Sequence, residues 1–117
     1  MLKQNSSFTH AACAGGLEVT LHGDIDHHSA VGLRADLDRL LYAERPARLW
    51  LNLSAVDFMD SSGLGLILGR LNLMQELGGE MILRAPGARV EKILRLAGLE
   101  RIIAIEAAEK KQADGSC

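Results

Sequence analysis

The sequence predicts one α/β domain in which helices pack on a mixed β-sheet that begins with an N-terminal hairpin. Short alternating or apolar segments indicate strands, longer segments with apolar residues every three or four positions indicate helices, and the two kinds alternate after the first two strands. The chain has 117 residues, which suffice for one domain and not for two ordinary ones. We therefore expect a single domain spanning 1–117, with a core at about 8–106 and about four helices.

The first elements are the predicted hairpin. Residues 8–13 form a weak strand, a Gly-rich turn follows at 14–16, and residues 17–21 alternate apolar and polar as in a half-buried strand. A polar loop at 23–28 leads to the first helix, for which Ser29 is the expected N-cap. Pro46 marks the end of that helix, since proline cannot continue it.

Strands and helices then alternate to the end of the chain. Residues 48–53 form a strand in which Leu49, Leu51 and Leu53 lie on one face, and a second helix covers 61–77 before a pair of glycines. A short strand at 81–83, a third helix at 88–97 and a last strand at 101–105 follow. The polar end, 107–117, is expected to form a short fourth helix or a frayed tail.

Composition excludes several classes of function. The formal net charge of −2 gives no basic surface for nucleic acid or anionic lipid, and no apolar run approaches the roughly 20 residues of a membrane helix. The N-terminus lacks the apolar stretch of a signal peptide, so we expect a cytoplasmic protein. Cys13 and Cys117 have no metal-type spacing, and in a reducing compartment both are expected to be free thiols.

The start of the second helix is the most informative segment. Asp60, Ser61 and Ser62 stand where a helix leaves backbone N–H groups unpaired and carries partial positive charge, which suits a phosphate. A serine here can be phosphorylated without loss of the helix. The residues alone leave open which serine would be the acceptor, and whether Asp60 or Ser61 is only an N-cap.

Three glycines early in this helix indicate a docking surface. Gly63, Gly65 and Gly69 each cost about 1 kcal/mol against alanine when exposed, so their presence favours close approach by another backbone. Packing against a neighbouring strand is an equally good explanation. The residues expected to face the core are Leu64, Ile67, Leu68, Leu71 and Met74. Those expected to turn elsewhere are Gly65, Leu66, Gly69, Arg70 and Leu73.

Other groups of polar residues give weaker evidence about function. Asp24, Asp26, His27 and His28 form a polar loop without further ligands at metal spacing, which favours a helix-entry turn with capping over a metal site. Ser61 and Ser62 lack the flanking glycines of a G-x-S-x-G nucleophile, and no phosphate-binding P-loop is present. We therefore expect no enzyme activity, no catalytic residue and no metal.

The chain resembles the anti-sigma factor antagonists of the STAS domain family, and within them the sporulation type. The matching segments are Gly-Asp-Ile-Asp-His-His-Ser-Ala at 23–30, Leu-Asn-Leu at 51–53, Phe-Met-Asp-Ser-Ser-Gly-Leu-Gly at 58–65, Ile-Leu-Gly-Arg at 67–70, Gly-Gly-Glu-Met at 78–81 and Ala-Gly-Leu at 97–99. The resemblance extends from about residue 17 to 106. The segment around 58–70 is specific, and the Asp-His-His element favours the sporulation branch.

The resemblance implies a STAS-like fold and a regulatory cycle. The unphosphorylated antagonist binds an anti-sigma factor that is also a serine kinase and thereby releases the sigma factor. The kinase transfers phosphate from ATP to Ser61, which ends binding, and a serine phosphatase restores it. No cofactor and no nucleic-acid contact are implied. The partner-binding residues would be Asp26, His27, His28, Asp57, Met59, Asp60, Ser62, Gly63, Leu64, Gly65, Leu66, Gly69 and Arg70. The alternative is a stand-alone STAS module of a stress-response or sensor complex.

Overall fold

The computed structural model describes residues 7–107, which form a five-stranded sheet, three α-helices and one short 3-10 helix. In chain order the elements are β1 (Ser7–Cys13), β2 (Gly16–His22), α1 (His27–Glu44), β3 (Arg48–Ala55), α2 (Ser61–Glu76), β4 (Glu80–Arg84), α3 (Ala88–Leu96), the 3-10 helix (Leu99–Arg101) and β5 (Ala104–Glu106). The predicted hairpin and the alternation after it are confirmed. The fourth helix expected within 107–117 falls, apart from residue 107, outside the described residues.

The sheet is mixed, as predicted. Its strands lie in the order β1-β2-β3-β4-β5. The hairpin strands β1 and β2 pair antiparallel, and β2 with β3, β3 with β4 and β4 with β5 pair parallel. Parallel neighbours need a crossover between them, which α1, α2 and the α3 segment provide. The carboxyl ends of β2 and β3 therefore meet at one edge of the sheet, next to the starts of α1 and α2.

All three helices pack on the same face of the sheet. The leucines at alternate positions of β3 pack with apolar residues of each helix in one buried cluster, represented by Leu51, Leu37, Ile67 and Leu94. Since side chains alternate along a strand, the residues between those leucines point to the opposite side. We call that opposite side the second face.

Two elements start at least two residues away from their predicted first residue. The helix α1 starts at His27, because the Asp26 carboxylate accepts a hydrogen bond from the Ser29 backbone N–H at 2.9 Å and takes the N-cap place expected for Ser29. The last strand starts at Ala104 instead of 101, because Gly98, at φ 82°, turns the chain into the 3-10 helix. Leu99 on this short helix is buried, so the turn contributes to the core.

The buried face of α2 is broader than predicted. Leu66, Arg70 and Leu73, expected to turn away from the core, are buried, whereas Leu64 and Leu68 are only partly buried. The helix packs on the sheet and also along α1, where Arg70 meets Asp38. A second neighbour buries a second stripe, which a single apolar periodicity does not predict.

Two further points concern the sequence expectations. Cys13 is disulfide-bonded in this structure, so the expected free thiol at that position is wrong. Cys117 lies outside the described residues. Among residues 7–107, no helix is long and apolar enough to cross a membrane.

Candidate functional site

Two loops lie side by side and bring the starts of α1 and α2 together. The Ile25 backbone N–H donates to the Phe58 carbonyl at 3.0 Å, and the Asp60 N–H donates to the Ile25 carbonyl at 3.2 Å. The Gly23 N–H donates to the Ala55 carbonyl at 3.1 Å in the same manner. These bonds continue the β2–β3 pairing beyond the sheet as an isolated parallel bridge. Two positively polarised helix ends thus share one surface.

Asp60 organises the start of α2. Its carboxylate accepts a hydrogen bond from the Ser62 backbone N–H at 2.8 Å, and its carbonyl accepts from Gly63 and Leu64 at 3.0 and 3.2 Å. This is the arrangement of an N-cap residue. Ser61 follows as the first residue of the helix and is exposed. Within residues 7–107 its hydroxyl makes no hydrogen bond, so the group is accessible and chemically unoccupied.

Asp26 organises the start of α1 in a closed arrangement. Besides the bond from the Ser29 N–H, the Asp26 N–H donates to the Ser29 hydroxyl at 3.1 Å, which completes a capping box. The Ser29 backbone N–H is the main reason why the pKa of Asp26 lies below its ordinary value. His27 and His28 are both exposed beside this cap. The loop therefore presents two imidazoles next to the start of α2.

The three glycines of α2 differ in what surrounds them. A Cβ on Gly63 would lie 2.6 Å from the Met59 Cβ and 3.3 Å from the Ile25 Cγ2. Gly63 is therefore required for the helix to sit on the two joined loops. A Cβ on Gly65 or Gly69 would meet nothing within 4 Å. For these two, the explanation by internal packing is wrong, while close approach by another molecule stays a prediction.

Several predicted contact residues lie inside the protein. The exposed fractions of Met59, Leu66 and Arg70 are 1%, 4% and 5%, and Gly63 is buried too. Their expected place on a contact surface is corrected, because each packs in the core or between α1 and α2. These buried residues support the exposed residues of the site from inside the protein.

The buried Arg70 fastens α2 to α1. Its Nε lies 2.9 Å from the Asp38 Oδ1, as an ion pair whose atoms are not aligned for a hydrogen bond, and Arg70 Nη1 has no partner among the described residues. Burial lowers the pKa of Arg70, and the Asp38 carboxylate opposes that shift. The pair holds the two helices in register and so helps to keep their starts adjacent.

The remaining predicted residues form the accessible surface. Asp57 and Gly65 are exposed like Ser61, and Asp60, Ser62, Leu64 and Gly69 are partly exposed. Sequence reasoning missed Phe58, whose side chain is 41% exposed in the same loop. The signal that could have found it is an aromatic residue in a loop, between Asp57 and the buried Met59. We call the residues His27, His28, Asp57, Phe58, Ser61 and Gly65 the exposed site surface.

A shallow cavity borders this surface. It has a volume of about 420 Å³ and lies between Val56 and Asp57 on one side and the start of α3, residues 87–90, on the other. Gly87 at the N-cap offers no side chain to the first turn of α3, and Arg89 lines the cavity. Among residues 7–107, no three His, Cys, Asp or Glu side chains are grouped to hold a metal ion.

Comparison with protein families and relatives agrees with this architecture. The STAS domain model matches residues 9–112. An anti-sigma F factor antagonist of Paenibacillus polymyxa is 38% identical over 91 residues, covering 78% of each chain. An anti-sigma-B factor antagonist of Bacillus subtilis (strain 168) is 36% identical over 91 residues, covering 78% of this chain and 82% of the relative.

Solved structures give the same result. The anti-sigma factor antagonist SpoIIAA in its unphosphorylated form superposes with a TM-score of 0.73 at 29% identity, over 88% of this chain and 90% of that one. The Bacillus cell fate determinant SpoIIAA in the phosphorylated form gives a TM-score of 0.66 at 28% identity, over 88% and 93% of the two chains. Both forms of that relative thus share the fold described here.

Proposed function

Because the chain belongs to the STAS domain family, we propose that it is an anti-sigma factor antagonist switched off by phosphorylation of Ser61. In this proposal the unphosphorylated protein binds an anti-sigma factor that is also a serine kinase, and the bound sigma factor is released. The kinase then transfers the γ-phosphate of ATP to Ser61, and a serine phosphatase reverses the step. The role is regulatory, cytoplasmic and uses no catalytic residue of this chain.

The observation that carries the proposal is the setting of Ser61. Its hydroxyl is exposed at the first position of α2 and is not engaged by any described residue. A kinase can therefore reach it, and the helix start accommodates the phosphate that results. Ser62 is less exposed, and its backbone N–H is already bonded to Asp60. These facts favour Ser61 over Ser62.

Phosphate at this position acts on the partner rather than on the fold. It adds about −1.5 to −2 charges at pH 7. Asp60 precedes Ser61 in the chain and Asp57 lies in the same loop, so the surface becomes strongly negative where the partner docks. A 100-fold loss of affinity requires about 2.7 kcal/mol. A desolvated clash between like charges is of sufficient size, so no rearrangement of the domain is needed.

The docking surface extends along α2 from Ser61. A Cβ added to Gly65 or Gly69 would have no neighbouring atom within 4 Å, which leaves room for a partner backbone at the helix. The exposed ring of Phe58 supplies apolar area beside them, of the kind that dominates interface energy. His27 and His28 border the same surface from α1. The proposed partner therefore contacts both helix starts.

The sporulation pathway is the finer part of the proposal. The Asp26-His27-His28 element supports it, and relatives named anti-sigma F factor antagonists include one at 38% identity. An anti-sigma-B factor antagonist at 36% identity supports the alternative of a stress-response pathway. Measuring affinity for the anti-sigma factor of each pathway distinguishes the two, since a specific antagonist discriminates between them.

Calorimetry with the cognate anti-sigma factor tests the proposal. Ser61→Ala should bind like the unmodified protein and accept no phosphate from ATP, whereas Ser61→Asp should bind about 100-fold more weakly. The matched control is Asn72→Asp, which adds one negative charge on an exposed position of the same helix, about 16 Å along its axis. This control should bind normally.

Two results would contradict the proposal. Equal affinity of Ser61→Asp and the unmodified chain would show that charge at Ser61 does not block docking. Equal weakening by Asn72→Asp would show that net charge, not position, controls binding.

A further inference from the structure

The two edge strands of the sheet differ in how well they are protected from pairing with another chain. At one edge, β5 has only three residues, and its Glu106 forms an ion pair with Arg84 of β4. At the other edge, β1 has seven residues, none of which is Asp, Glu, Lys, Arg or Pro. Short length, charge and proline are means by which proteins keep sheet edges from associating. The β5 edge has such protection, and the β1 edge has none.

The strand register shows which backbone groups of β1 point away from the sheet. Cys13 and Gly16 flank the two-residue turn of the hairpin and therefore exchange backbone hydrogen bonds. The register runs on without a bulge, so every second residue of β1 from Cys13 backwards is bonded to β2. The residues between them point their N–H and C=O groups to the free edge. These residues are Phe8, His10 and Ala12.

The outward backbone groups have no partner in the described part of the chain. Within residues 7–107, only β2 pairs with β1, and no turn or loop bonds to Phe8, His10 or Ala12. Five of the seven positions of β1 are exposed. An alternating row of backbone donors and acceptors matches the edge of another strand.

This row is complementary to itself. His10 lies in the middle of the seven residues, with Phe8 and Ala12 placed symmetrically on either side. Two copies of β1 related by a twofold axis at His10 can therefore pair antiparallel over their full length, with Phe8 of each copy opposite Ala12 of the other. Each outward residue then donates one hydrogen bond and accepts one, which gives about six between the copies. No carboxylate, ammonium or guanidinium group lies in either strand to oppose the pairing.

The rest of the fold leaves room for a second copy at this edge. The helix α1 is the crossover from β2 to β3, so it packs over those strands and not over β1. In the joined sheet, the two copies of β2 lie three strand spacings or about 14 Å apart. The two α1 helices are then farther apart than the about 8–10 Å at which helices pack, so they do not collide.

Side chains of β1 line the space between the two helices. Phe8 and His10 pair with Leu21 and Val19, which belong to the core, so both rings lie on the helix side of the sheet and not on the second face. Their centroids are 6.3 Å apart. Two such pairs of rings, one from each copy, would meet across the twofold axis.

We propose that the protein forms a twofold-symmetric dimer in which β1 pairs with β1 of a second copy to make one sheet of ten strands. Because β1 is antiparallel to the other four strands, the parallel strands of the two copies run in opposite directions. The carboxyl ends of β2 and β3, next to the exposed site surface, therefore point in opposite directions as well. Each copy keeps its own site accessible, so the dimer does not depend on the function proposed for Ser61.

Sedimentation and deuterium exchange of the full chain test this inference. The unmodified protein should change reversibly from monomer to dimer as its concentration rises. In the dimer, the backbone amides of Phe8, His10 and Ala12 should exchange at least about tenfold more slowly than in the monomer. The amides of Thr9 and Ala11 are already bonded to β2 in each copy and should change much less.

Substitutions of His10 test the register of the pairing. His10→Pro removes an outward N–H and no bond to β2, so it should raise the dissociation constant of the dimer at least about tenfold in a folded domain. His10→Lys keeps the N–H but places like charges opposite each other, and should weaken the dimer even if proline disturbs the strand. The matched control is Ala35→Lys, which adds the same charge at an exposed position of α1 and should dimerise like the unmodified chain.

Three results would overturn the proposal. A chain that stays monomeric at every concentration has no such interface. A dimer that both His10 variants leave intact, or in which the amides of Phe8, His10 and Ala12 stay unprotected, is formed through another surface. Protection of these amides only after an anti-sigma factor is added would assign the edge to a strand of that partner.

Discussion

The two helix starts at the site follow the same capping rule and differ in what they leave available. Asp26 and Asp60 both have extended backbone and both accept a backbone N–H of the first turn. In α1 the third helical residue is Ser29, whose hydroxyl closes the capping box. In α2 that position is Gly63, and the first position is Ser61 with an unengaged hydroxyl. Moving serine by two positions therefore converts a structural cap into a group open to chemistry.

Glycine at the third position has a second consequence for α2. Because glycine has no side chain, the first turn of α2 packs directly against Met59 and Ile25. The closed start of α1 is held mainly by its own capping box, and the open start of α2 mainly by packing from below. This difference predicts which substitutions destabilise the start of α1 and which destabilise the start of α2.

The largest effect is expected from the ion pair that holds the two starts together. Asp38→Asn leaves the Arg70 guanidinium, 5% exposed, without its carboxylate, and should lower the free energy of unfolding by about 3 kcal/mol. Denaturant titration measures this loss. Asp36→Asn is the matched control, since its pair with Arg39 is exposed on α1 and is worth less than about 1 kcal/mol. Equal losses for the two variants would contradict a special role of the buried pair.

Alanine substitutions at Gly63 and Gly65 should distinguish the glycine that α2 needs for packing on its loops from the one that leaves room for a partner. Gly63→Ala should cost about 1–3 kcal/mol, because its Cβ would lie 2.6 Å from that of Met59. Gly65→Ala meets no atom within 4 Å and should stabilise the helix by up to about 1 kcal/mol. Thermal unfolding compares them directly. The proposed seating of α2 is wrong if both substitutions change stability in the same direction.

Serine-to-alanine substitutions sharpen the contrast between closed and open starts. Ser29→Ala removes the hydroxyl that accepts from the Asp26 N–H and should cost about 1 kcal/mol. Ser61→Ala removes a hydroxyl with no described partner and should change the free energy of unfolding by less than about 0.5 kcal/mol. Chemical denaturation of both variants gives the difference. A larger loss for Ser61→Ala would mean that its hydroxyl is structural.

The smallest effect is a pH dependence confined to α1. The folded-state pKa of Asp26 is lowered, so its contribution to stability is present above the ordinary aspartate pKa and is lost as the pH falls through the lowered value. Asp26→Asn should therefore flatten the acid limb of the stability curve, with the difference between the two proteins largest near pH 7 and lost in acid. Melting temperatures of the two proteins across the acid range test this sign. A wild-type curve that steepens relative to the variant toward alkaline pH would contradict it.

Local sequence rules predicted most elements and failed where two rules competed. Asp26 and Ser29 are both good N-cap residues, and the apolar stripe of α1 does not choose between them. The structure selects Asp26 because the pairing of Ile25 with the α2 loop fixes the chain just before it. Such a long-range contact is not encoded in the spacing of neighbouring residues.

The helix start at the candidate site was predicted, whereas the residues buried beneath it were not. Ser61, Asp60 and Gly63 could be identified because their order along the chain defines a helix start. The burial of Leu66 and Arg70 could not, since it depends on how α1 lies against α2. The disulfide state of Cys13 depends on contacts that are distant along the chain and is likewise beyond local reasoning.

Mapping of the phosphorylated residue tests the central contrast most directly. The protein is incubated with its cognate serine kinase and ATP, digested, and the modified peptides are sequenced by mass spectrometry. We predict stoichiometric phosphate on Ser61, at the open start of α2, and none on Ser29 in the closed start of α1. Phosphate on Ser29, or on Ser62 with Ser61 unmodified, would contradict this prediction.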